Sequence, residues 1–420
     1  MEDLPGEHVA ALWQVGLRLD VPPVAGLVGQ AQDVLATSHL SRHPSLWESS
    51  TAERPRVQGG DRCTAGVQVL PLRKAPRGDR PSGTSGDNVD TISTPDLQCP
   101  FPFTPPDPGQ LDFTRTELTQ WLDRFPLGDR YLRAGGVELA AYTTPGPSDI
   151  SLLALTAQFH TWLFATDDTY CDESHHKTPR AYLKLLPQLL EVLTPPFAPA
   201  TCDHPFVAAL TDLRDRLVLS VAPDRARRFA SLLREALLSL TWELPIRAGI
   251  VPLDTAGYRS LRRLNGAVGP CLELSGLISG VSPRADELAL PAVERLTTLA
   301  IDHIGIANDL WSYTKETQVS GQVPTLLPHV LMNEHGIDLE AAVTATAQLC
   351  NELIAEFEAG CHRVRPSASP QVLRYLDVLR AWIRGNLQWS ATCRRYDAVG
   401  AGSRIRLTVR SGRPPAEHAG

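Results

Sequence analysis

The sequence predicts an all-α fold for residues 99–397 of this 420-residue chain. Apolar residues recur there at spacings of three and four, for example at Phe206, Leu210, Leu213 and Leu217. Such spacing places them on one face of a helix that packs against a core. No segment alternates convincingly between apolar and polar residues with the period of two that is typical of a strand. We therefore expect a single helical domain.

The predicted helices are separated by breaks that are rich in proline, glycine or aspartate, such as Pro195-Pro196 and Ser282-Pro283. The segments between such breaks are long enough to form helices of several turns. Besides the stripe that begins at Phe206, the helical pattern covers approximately 114–125, 148–166, 178–193, 223–249, 266–280, 286–316, 338–364 and 369–396.

Residues 1–98 differ in composition from the rest of the chain. Fourteen of the 35 prolines fall within the first 108 residues, and residues 51–96 are rich in Gly, Ser, Arg, Asp and Pro without any period. Such a segment buries too little apolar surface to offset the entropy lost on ordering. We predict a largely disordered extension over 1–98 and a flexible tail over 398–420, because the tail has a similar composition.

The overall composition is that of a globular protein with ample material for a core. Hydrophobic residues make up 43% of the chain and the formal net charge is −7, which argues against a partner held by a bulk positive field, such as a nucleic acid. The eight cysteines are scattered without a CxxC pair, as in a protein with reduced thiols. No apolar run approaches the roughly eighteen residues that span a bilayer. We expect a cytoplasmic protein that does not span a membrane.

An acidic cluster closes the predicted helix 148–166. It contains Asp167, Asp168, Asp172 and Glu173, so four carboxylates fall within seven residues. Asp168 and Asp172 are four residues apart and would share one face of a helix. Carboxylates repel one another unless they are solvated or share a cation, and such hard oxygen ligands suit Mg²⁺. A solvated acidic helix end would have the same composition, so the cluster alone leaves both interpretations open.

A second polar group lies in the predicted helix 286–316. Asn308, Ser312 and Glu316 follow at spacings of four, so an amide, a hydroxyl and a carboxylate rise along one helical face. They extend over about 12 Å along the axis, at ~1.5 Å per residue, and their side chains would converge on one ion. The alternative is a polar stripe on a surface helix. The apolar character of the preceding residues 301–307 favours a cavity.

These two patterns resemble the metal-binding motifs of bacterial class I terpene synthases. The first string is similar to the family's DDxxxD/E motif, and the second matches its NDxxSxxKE motif at every defined position, including the lysine before the final glutamate. The resemblance covers roughly residues 99–397. In the sequence these motifs read Asp167-Asp168-Thr-Tyr-Cys-Asp172 and Asn308-Asp309-Leu-Trp-Ser312-Tyr-Thr-Lys315-Glu316.

Two further matches follow the order of motifs in the family. Arg262 lies 46 residues before Asn308, where the family has an arginine that senses the diphosphate, and Gly266 resembles its helix-break glycine. Asn265 departs from the family pattern, because that position is often aspartate. Near the end of the domain, Arg395 and Tyr396 resemble the Arg-Tyr pair that closes over the diphosphate.

The resemblance implies a class I terpenoid synthase helical bundle that encloses an active-site cavity and binds three Mg²⁺ ions. The metal ligands would be Asp167, Asp168, Asp172, Asn308, Ser312 and Glu316. The groups that contact the diphosphate or pass on its position would be Arg262, Asn265, Gly266, Lys315, Arg395 and Tyr396. Aromatic faces stabilise carbocations, and the candidates for this role in the substrate pocket are Phe159, Trp162, Phe164, Trp311 and Trp389.

The implied activity is the ionisation of a linear isoprenyl diphosphate and the cyclisation of the resulting carbocation. One alternative is a chain-elongating prenyltransferase, a family that is characterised by two DDxxD motifs. Another is a non-catalytic scaffold built on a cyclase fold. The motif strings also resemble those of the 2-methylisoborneol synthase group, which uses a methylated geranyl diphosphate, whereas a larger neighbouring group uses farnesyl diphosphate. Two further hypotheses are a homodimer and an N-terminal extension that docks onto a partner or shell protein.

Overall fold

Several helix starts in the computed structural model follow capping residues that the sequence supplies. The side chain of Asp107 accepts the backbone N–H of Gln110, and Pro108 occupies the first turn. The side chain of Asp149 accepts the backbone N–H groups of Ser151 and Leu152. These contacts satisfy N–H groups that have no partner within a helix. The structure describes residues 91–93, 96–172, 178–197, 203–318, 322–396 and 404–411, which all belong to one unit, Asp87–Gly420.

The described residues are mainly helical, which confirms the predicted fold class. No described helix is long and apolar enough to cross a membrane. The helices are α1 (Pro108–Arg124), α2 (Gly136–Thr143), α3 (Ile150–Asp167), α4 (Thr178–Val192), α5 (Pro205–Ser220), α6 (Pro223–Arg247), α7 (Thr255–Asn265), α8 (Val268–Ile278), α9 (Ala285–Leu288), α10 (Pro291–Thr317), α11 (Leu327–His335), α12 (Leu339–Val364) and α13 (Pro370–Thr392).

Two long helices organise the bundle. Helix α10 packs against α7, α12 and α13, and helix α3 packs against α1, α2 and α5. Both helices are buried over most of their length, as expected of helices that are surrounded by others. The acidic cluster lies at the C-terminal end of α3, and the polar ladder lies near the end of α10.

Helix α7 is absent from the predicted segments, although it carries Arg262. Its buried apolar residues are Tyr258 and Leu261, and two positions give too short a stripe to reveal a helix by periodicity. A break separates α7 from α8, and Ala267 at this break has a φ of +50°. This left-handed conformation is uncommon for a residue with a side chain, so the break is defined by the surrounding packing.

Four short strands join the two ends of the described chain. Strand β1 (Thr91–Ser93) pairs in parallel with β3 (Arg404–Arg406), and β2 (Leu97–Cys99) pairs in parallel with β4 (Val409–Ser411). The side chain of Asn351 on α12 accepts the backbone N–H of Gln98 at 2.7 Å. The domain therefore includes residues that the sequence analysis assigned to a disordered extension and a flexible tail. The rest of that extension, residues 1–90 and 94–95, lies outside the described residues.

Candidate active site

A cavity opens among α3, α6, α7, α8, α10 and α13, and it spans about 1190 Å³ between atoms, its mouth included. Apolar side chains form one part of its wall, and polar side chains from several helices form the rest. This combination is typical of a pocket that holds an apolar ligand by a few polar groups. The apolar wall includes Leu139, Leu163, Ala236, Leu237, Leu240 and Ile304.

The predicted ladder on α10 faces this cavity. Asn308, Ser312 and Glu316 all line it. The Oγ of Ser312 is buried and has no hydrogen-bond partner within the described part of the chain. The other two residues are held by arginines, since Arg262 donates to Asn308 Oδ1 at 2.8 Å and Arg247 donates to Glu316 Oε2 at 3.0 Å. A buried hydroxyl without a partner is costly in an apolar interior, and a bound ion between these oxygens would satisfy it.

The acidic cluster at the end of α3 lies beside the C-terminal part of α10, which carries the ladder. Asp167 lines the cavity. Asp168 is buried, at 4% exposed, and accepts hydrogen bonds from Lys315 at 2.7 Å and from both terminal nitrogens of Arg395 at 2.8 Å. Residues Asp168–Asp172 form a π-helical turn, so the four-residue spacing of an α-helix does not apply to them. The side chain of Asp172 lies outside the described residues.

The basic and phenolic groups predicted to bind a diphosphate converge on the same cavity. Lys315, Arg395 and Tyr396 line the cavity, and the hydroxyl of Tyr396 accepts a hydrogen bond from Asn308 Nδ2 at 2.6 Å. Burial alone would lower the pKa of Arg395, but Asp168 raises it above its ordinary value. Burial raises the pKa of Tyr396. The guanidinium therefore stays charged and the phenol stays protonated, so both groups can donate hydrogen bonds to an anion.

Arg262 reaches the cavity from α7. Its guanidinium donates to the Gly305 carbonyl at 3.2 Å and to Asn308 Oδ1 at 2.8 Å, and it forms an ion pair with Asp309 at 2.9 Å. A Cβ at position 305 would lie 3.2 Å from the Arg262 Cγ, so the glycine leaves room for this side chain. The neighbouring Arg263 is held by two hydrogen bonds to Asp302, at 2.6 and 2.7 Å.

Comparisons with known proteins identify the family. Residues 158–356 match the family described as "Terpene synthase family 2, C-terminal metal binding". The chain is 30% identical over 313 residues to the 4-epi-cubebol synthase of Streptosporangium roseum, an alignment that covers 73% of this chain and 92% of that protein. The chain belongs to the terpene synthase family. It is also 28% identical over 317 residues to the bonnadiene synthase of Allokutzneria albata, covering 73% of this chain and 87% of the relative.

The fold of this terpene synthase is shared with solved structures. The crystal structure of the SVS_A2 protein, from ancestral sequence reconstruction, aligns with a TM-score of 0.65 at 25% sequence identity. The alignment covers 71% of this chain and 90% of that protein. The helical bundle enclosing a cavity, which the sequence resemblance implied, is therefore the fold of the chain.

The five aromatic residues predicted for the pocket divide into two groups. Phe164 and Trp389 line the cavity of this terpene synthase and stack on each other with ring centroids 5.5 Å apart. Phe159, Trp162 and Trp311 are not among the lining residues. Phe159 and Trp162 are fully buried, and Trp162 donates to the carbonyl of Phe206 on α5. Of the five candidates, the cavity therefore favours Phe164 and Trp389, and their contact with a substrate stays a prediction.

Several residues of the terpene synthase site were not identified from the sequence. Asp309 is fully buried and accepts hydrogen bonds from the Tyr258 hydroxyl at 2.5 Å and the Leu327 backbone N–H at 2.8 Å. Burial raises its pKa, and Arg262 and Tyr258 oppose this rise. Asp309 lies inside the NDxxSxxKE string, which was the available signal. Glu243 and Arg247 also line the cavity, and they belong to no motif recognised in the sequence.

Proposed function

We propose that this terpene synthase is a Mg²⁺-dependent class I cyclase that ionises farnesyl diphosphate or 2-methylgeranyl diphosphate and cyclises the carbocation with release of diphosphate. The observation that carries the proposal is the arrangement at the cavity mouth. Asp167 and the ladder of Asn308, Ser312 and Glu316 line one cavity together with basic side chains. Acidic and basic groups in one mouth suit a complex of divalent cations with a polyanion.

The metal would be held by side-chain oxygens that line the cavity. Ser312 Oγ has no hydrogen-bond partner in the described part of the chain, and Asn308 and Glu316 lie four residues to either side of it on α10. Asp167 supplies a carboxylate from the end of α3. When bound, Mg²⁺ supplies Lewis-acid stabilisation of the charge that develops on the leaving oxygen.

The protein itself contributes hydrogen-bond donors and an apolar enclosure. Arg262, Lys315, Arg395 and Tyr396 are the donors that would orient the diphosphate. Because they are fixed by carboxylates and amides before a substrate arrives, little reorganisation is needed as charge builds up on the leaving group. The apolar wall excludes water from the carbocation, and Phe164 and Trp389 place aromatic rings beside it. No nucleophilic side chain is required.

Different observations favour the two substrates. The name of the 4-epi-cubebol synthase specifies cyclisation of (2E,6E)-farnesyl diphosphate. Because that enzyme is similar to this chain, its name supports a fifteen-carbon substrate here as well. The motif strings resemble those of the 2-methylisoborneol synthase group, since Tyr170-Cys171 lies inside the first and Trp311 inside the second. The full chain should be incubated with geranyl, 2-methylgeranyl, farnesyl and geranylgeranyl diphosphates, and the volatile products identified by mass spectrometry.

The proposal is tested by Asn308→Ala and Glu316→Ala. Each change removes one ladder oxygen, so we expect turnover to fall by at least about 100-fold, as is typical for loss of transition-state electrostatic stabilisation, while circular dichroism remains unchanged. Glu294→Ala is the matched control, because Glu294 is an exposed carboxylate on the same helix. Rates close to wild type in both ladder variants at limiting Mg²⁺ would contradict the proposal.

A further inference from the structure

Glu243 on α6 is an acceptor on which three segments of the chain converge. Its Oε1 accepts hydrogen bonds from Arg247 Nε at 2.8 Å and from the Thr325 hydroxyl at 2.7 Å. Its Oε2 accepts a hydrogen bond from Asn265 Nδ2 at 2.8 Å. The residue is only 2% exposed and lines the cavity. A buried carboxylate needs such donors, because an unpaired buried charge is very costly.

Arg247 extends this contact to the ladder on α10. It lies one turn after Glu243 on α6, is 5% exposed, and donates through its NH2 group to Glu316 Oε2 at 3.0 Å. One rigid guanidinium thus bridges Glu243 and Glu316, and a planar fork transmits orientation better than a flexible ammonium would. The backbone carbonyl of Arg247 also accepts the N–H of Val323 at 2.8 Å, which ties in the segment that carries Thr325.

Asn265 extends the contact in the other direction, to the break between α7 and α8. It is the last residue of α7 and is followed by Gly266 and by Ala267, whose φ is +50°. The Oδ1 of Asn265 is buried and makes no hydrogen bond within the described part of the chain. The hydrogen bond from Nδ2 to Glu243 therefore orients this side chain at the point where the helix axis changes.

We propose that Glu243 is a positioning residue that couples the α7–α8 break to the carboxylate of Glu316, through Asn265 on one side and Arg247 on the other. This rests on the proposed function, in which Glu316 holds a metal ion and the diphosphate occupies the cavity that Asn265, Gly266 and Ala267 line. A displacement of Asn265 shifts Glu243, and with it the guanidinium that orients Glu316. The coupling is carried by a contiguous chain of hydrogen bonds.

The test exchanges donor and acceptor at the contact between Asn265 and Glu243. Asn265→Asp keeps the shape but replaces the donating amide by a carboxylate, which faces the Glu243 carboxylate across a contact of 2.8 Å. Two carboxylates at this distance repel. Adding Glu243→Gln restores a hydrogen bond between the two positions, because the amide nitrogen introduced at position 243 donates to the carboxylate introduced at position 265. The amide oxygen at position 243 still accepts from Arg247 and Thr325. A double-mutant cycle isolates the coupling between the two positions.

Two measurements report on the coupling: the affinity for inorganic pyrophosphate in the presence of Mg²⁺, by calorimetry, and the product ratio with the accepted isoprenyl diphosphate. We expect Asn265→Asp to weaken pyrophosphate binding about tenfold or more, in line with one lost charge-assisted hydrogen bond, and to change the product ratio. The double variant should return to within about threefold of wild type. Thr325→Val, which removes one donor to Glu243 and conserves volume, should act in the same direction to a smaller extent and covers the case in which Asn265→Asp does not fold.

Glu273→Gln is the matched control. Glu273 is likewise a buried glutamate paired with arginines, Arg225 at 2.5 Å and Arg228 at 3.0 Å, but it does not line the cavity. We expect it to lower Tm and to leave pyrophosphate binding and the product ratio unchanged. If Asn265→Asp and Thr325→Val behave like this control, or if Glu243→Gln fails to rescue Asn265→Asp, the proposal is overturned. If the wild-type protein neither binds pyrophosphate with Mg²⁺ nor converts any isoprenyl diphosphate, it is the proposed function that fails.

Discussion

Replacing Arg262 by lysine tests whether the geometry of this cation matters beyond its charge. The guanidinium contacts three acceptors on α10 at once, namely the Gly305 carbonyl, Asn308 Oδ1 and Asp309 Oδ1. Burial alone would lower the pKa of Arg262, but Asp309 and its neighbours raise it above its ordinary value. The site therefore holds a charged, forked donor whose position is set by α10, close to where a diphosphate would bind.

The expected loss follows from these contacts. Nε and Nη2 of Arg262 face these acceptors on α10, whereas a lysine has one ammonium on a flexible stem and cannot contact the acceptors and a diphosphate oxygen together. Arg262→Lys should lose at least one charge-assisted hydrogen bond, worth about 2 kcal/mol, and this corresponds to a fall of roughly 30-fold in rate. The fall should affect kcat at least as much as KM, because the interaction strengthens as charge develops on the leaving group.

The assay is steady-state kinetics at saturating Mg²⁺ on Arg262→Lys, Arg262→Ala and Arg263→Ala. Arg263 is the control, since its two hydrogen bonds to Asp302 direct it away from the cavity, which it does not line. We expect Arg263→Ala to change stability more than turnover. The reasoning is refuted if Arg262→Lys stays within twofold of wild type, or if Arg263→Ala is as harmful to turnover as Arg262→Ala.

Two further predictions concern stability. Deletion of residues 1–86 should leave Tm and rate nearly unchanged, whereas deletion of 1–99 should lower Tm, because it removes the fully buried Leu97 and Cys99, each worth about 1–3 kcal/mol; equal Tm values for the two truncations would contradict this. Burial lowers the pKa of His303 to about 4, so below pH 6.5 the unfolded chain binds a proton that the folded chain does not. His303 alone should therefore lower the stability by about 2 kcal/mol between pH 7.5 and 5, and urea titrations should find the pH dependence reduced in His303→Gln and unchanged in the exposed control His335→Gln.

The ladder on α10 could be predicted because its three residues lie in one helix. The spacing of Asn308, Ser312 and Glu316 is a local property, and the apolar residues before them indicate burial. The partners of Asp168 are of a different kind, since Lys315 and Arg395 lie 147 and 227 positions further along the chain. Sequence spacing gives no measure of such a contact, so the pairing that neutralises Asp168 became apparent only in the fold.

The aromatic residues of α3 show a second limit. Twelve of the eighteen residues of this helix are buried, and the apolar ones lie on all of its faces. Periodicity identifies a core face only when another face is polar, so it could not tell whether Phe159, Trp162 or Phe164 points into the cavity. The short strands escaped prediction for a different reason. Three residues are too few to show a period, and β2 pairs with a segment more than 300 residues away.

The ion pairs at the cavity mouth link the binding of the diphosphate to the binding of divalent ions. Asp168 pairs with Lys315 and Arg395. A diphosphate would draw on the same two basic groups that Asp168 now neutralises, and a divalent ion beside Asp168 would replace them. Binding of either ligand thus breaks an ion pair that the other ligand would otherwise have to break. We therefore expect the diphosphate and the divalent ion to favour each other's binding, and thermodynamic linkage requires the effect to be reciprocal. Calorimetry of pyrophosphate over a range of Mg²⁺ concentrations measures this coupling, and independent binding of the two would show that the pairs seen here are not exchanged.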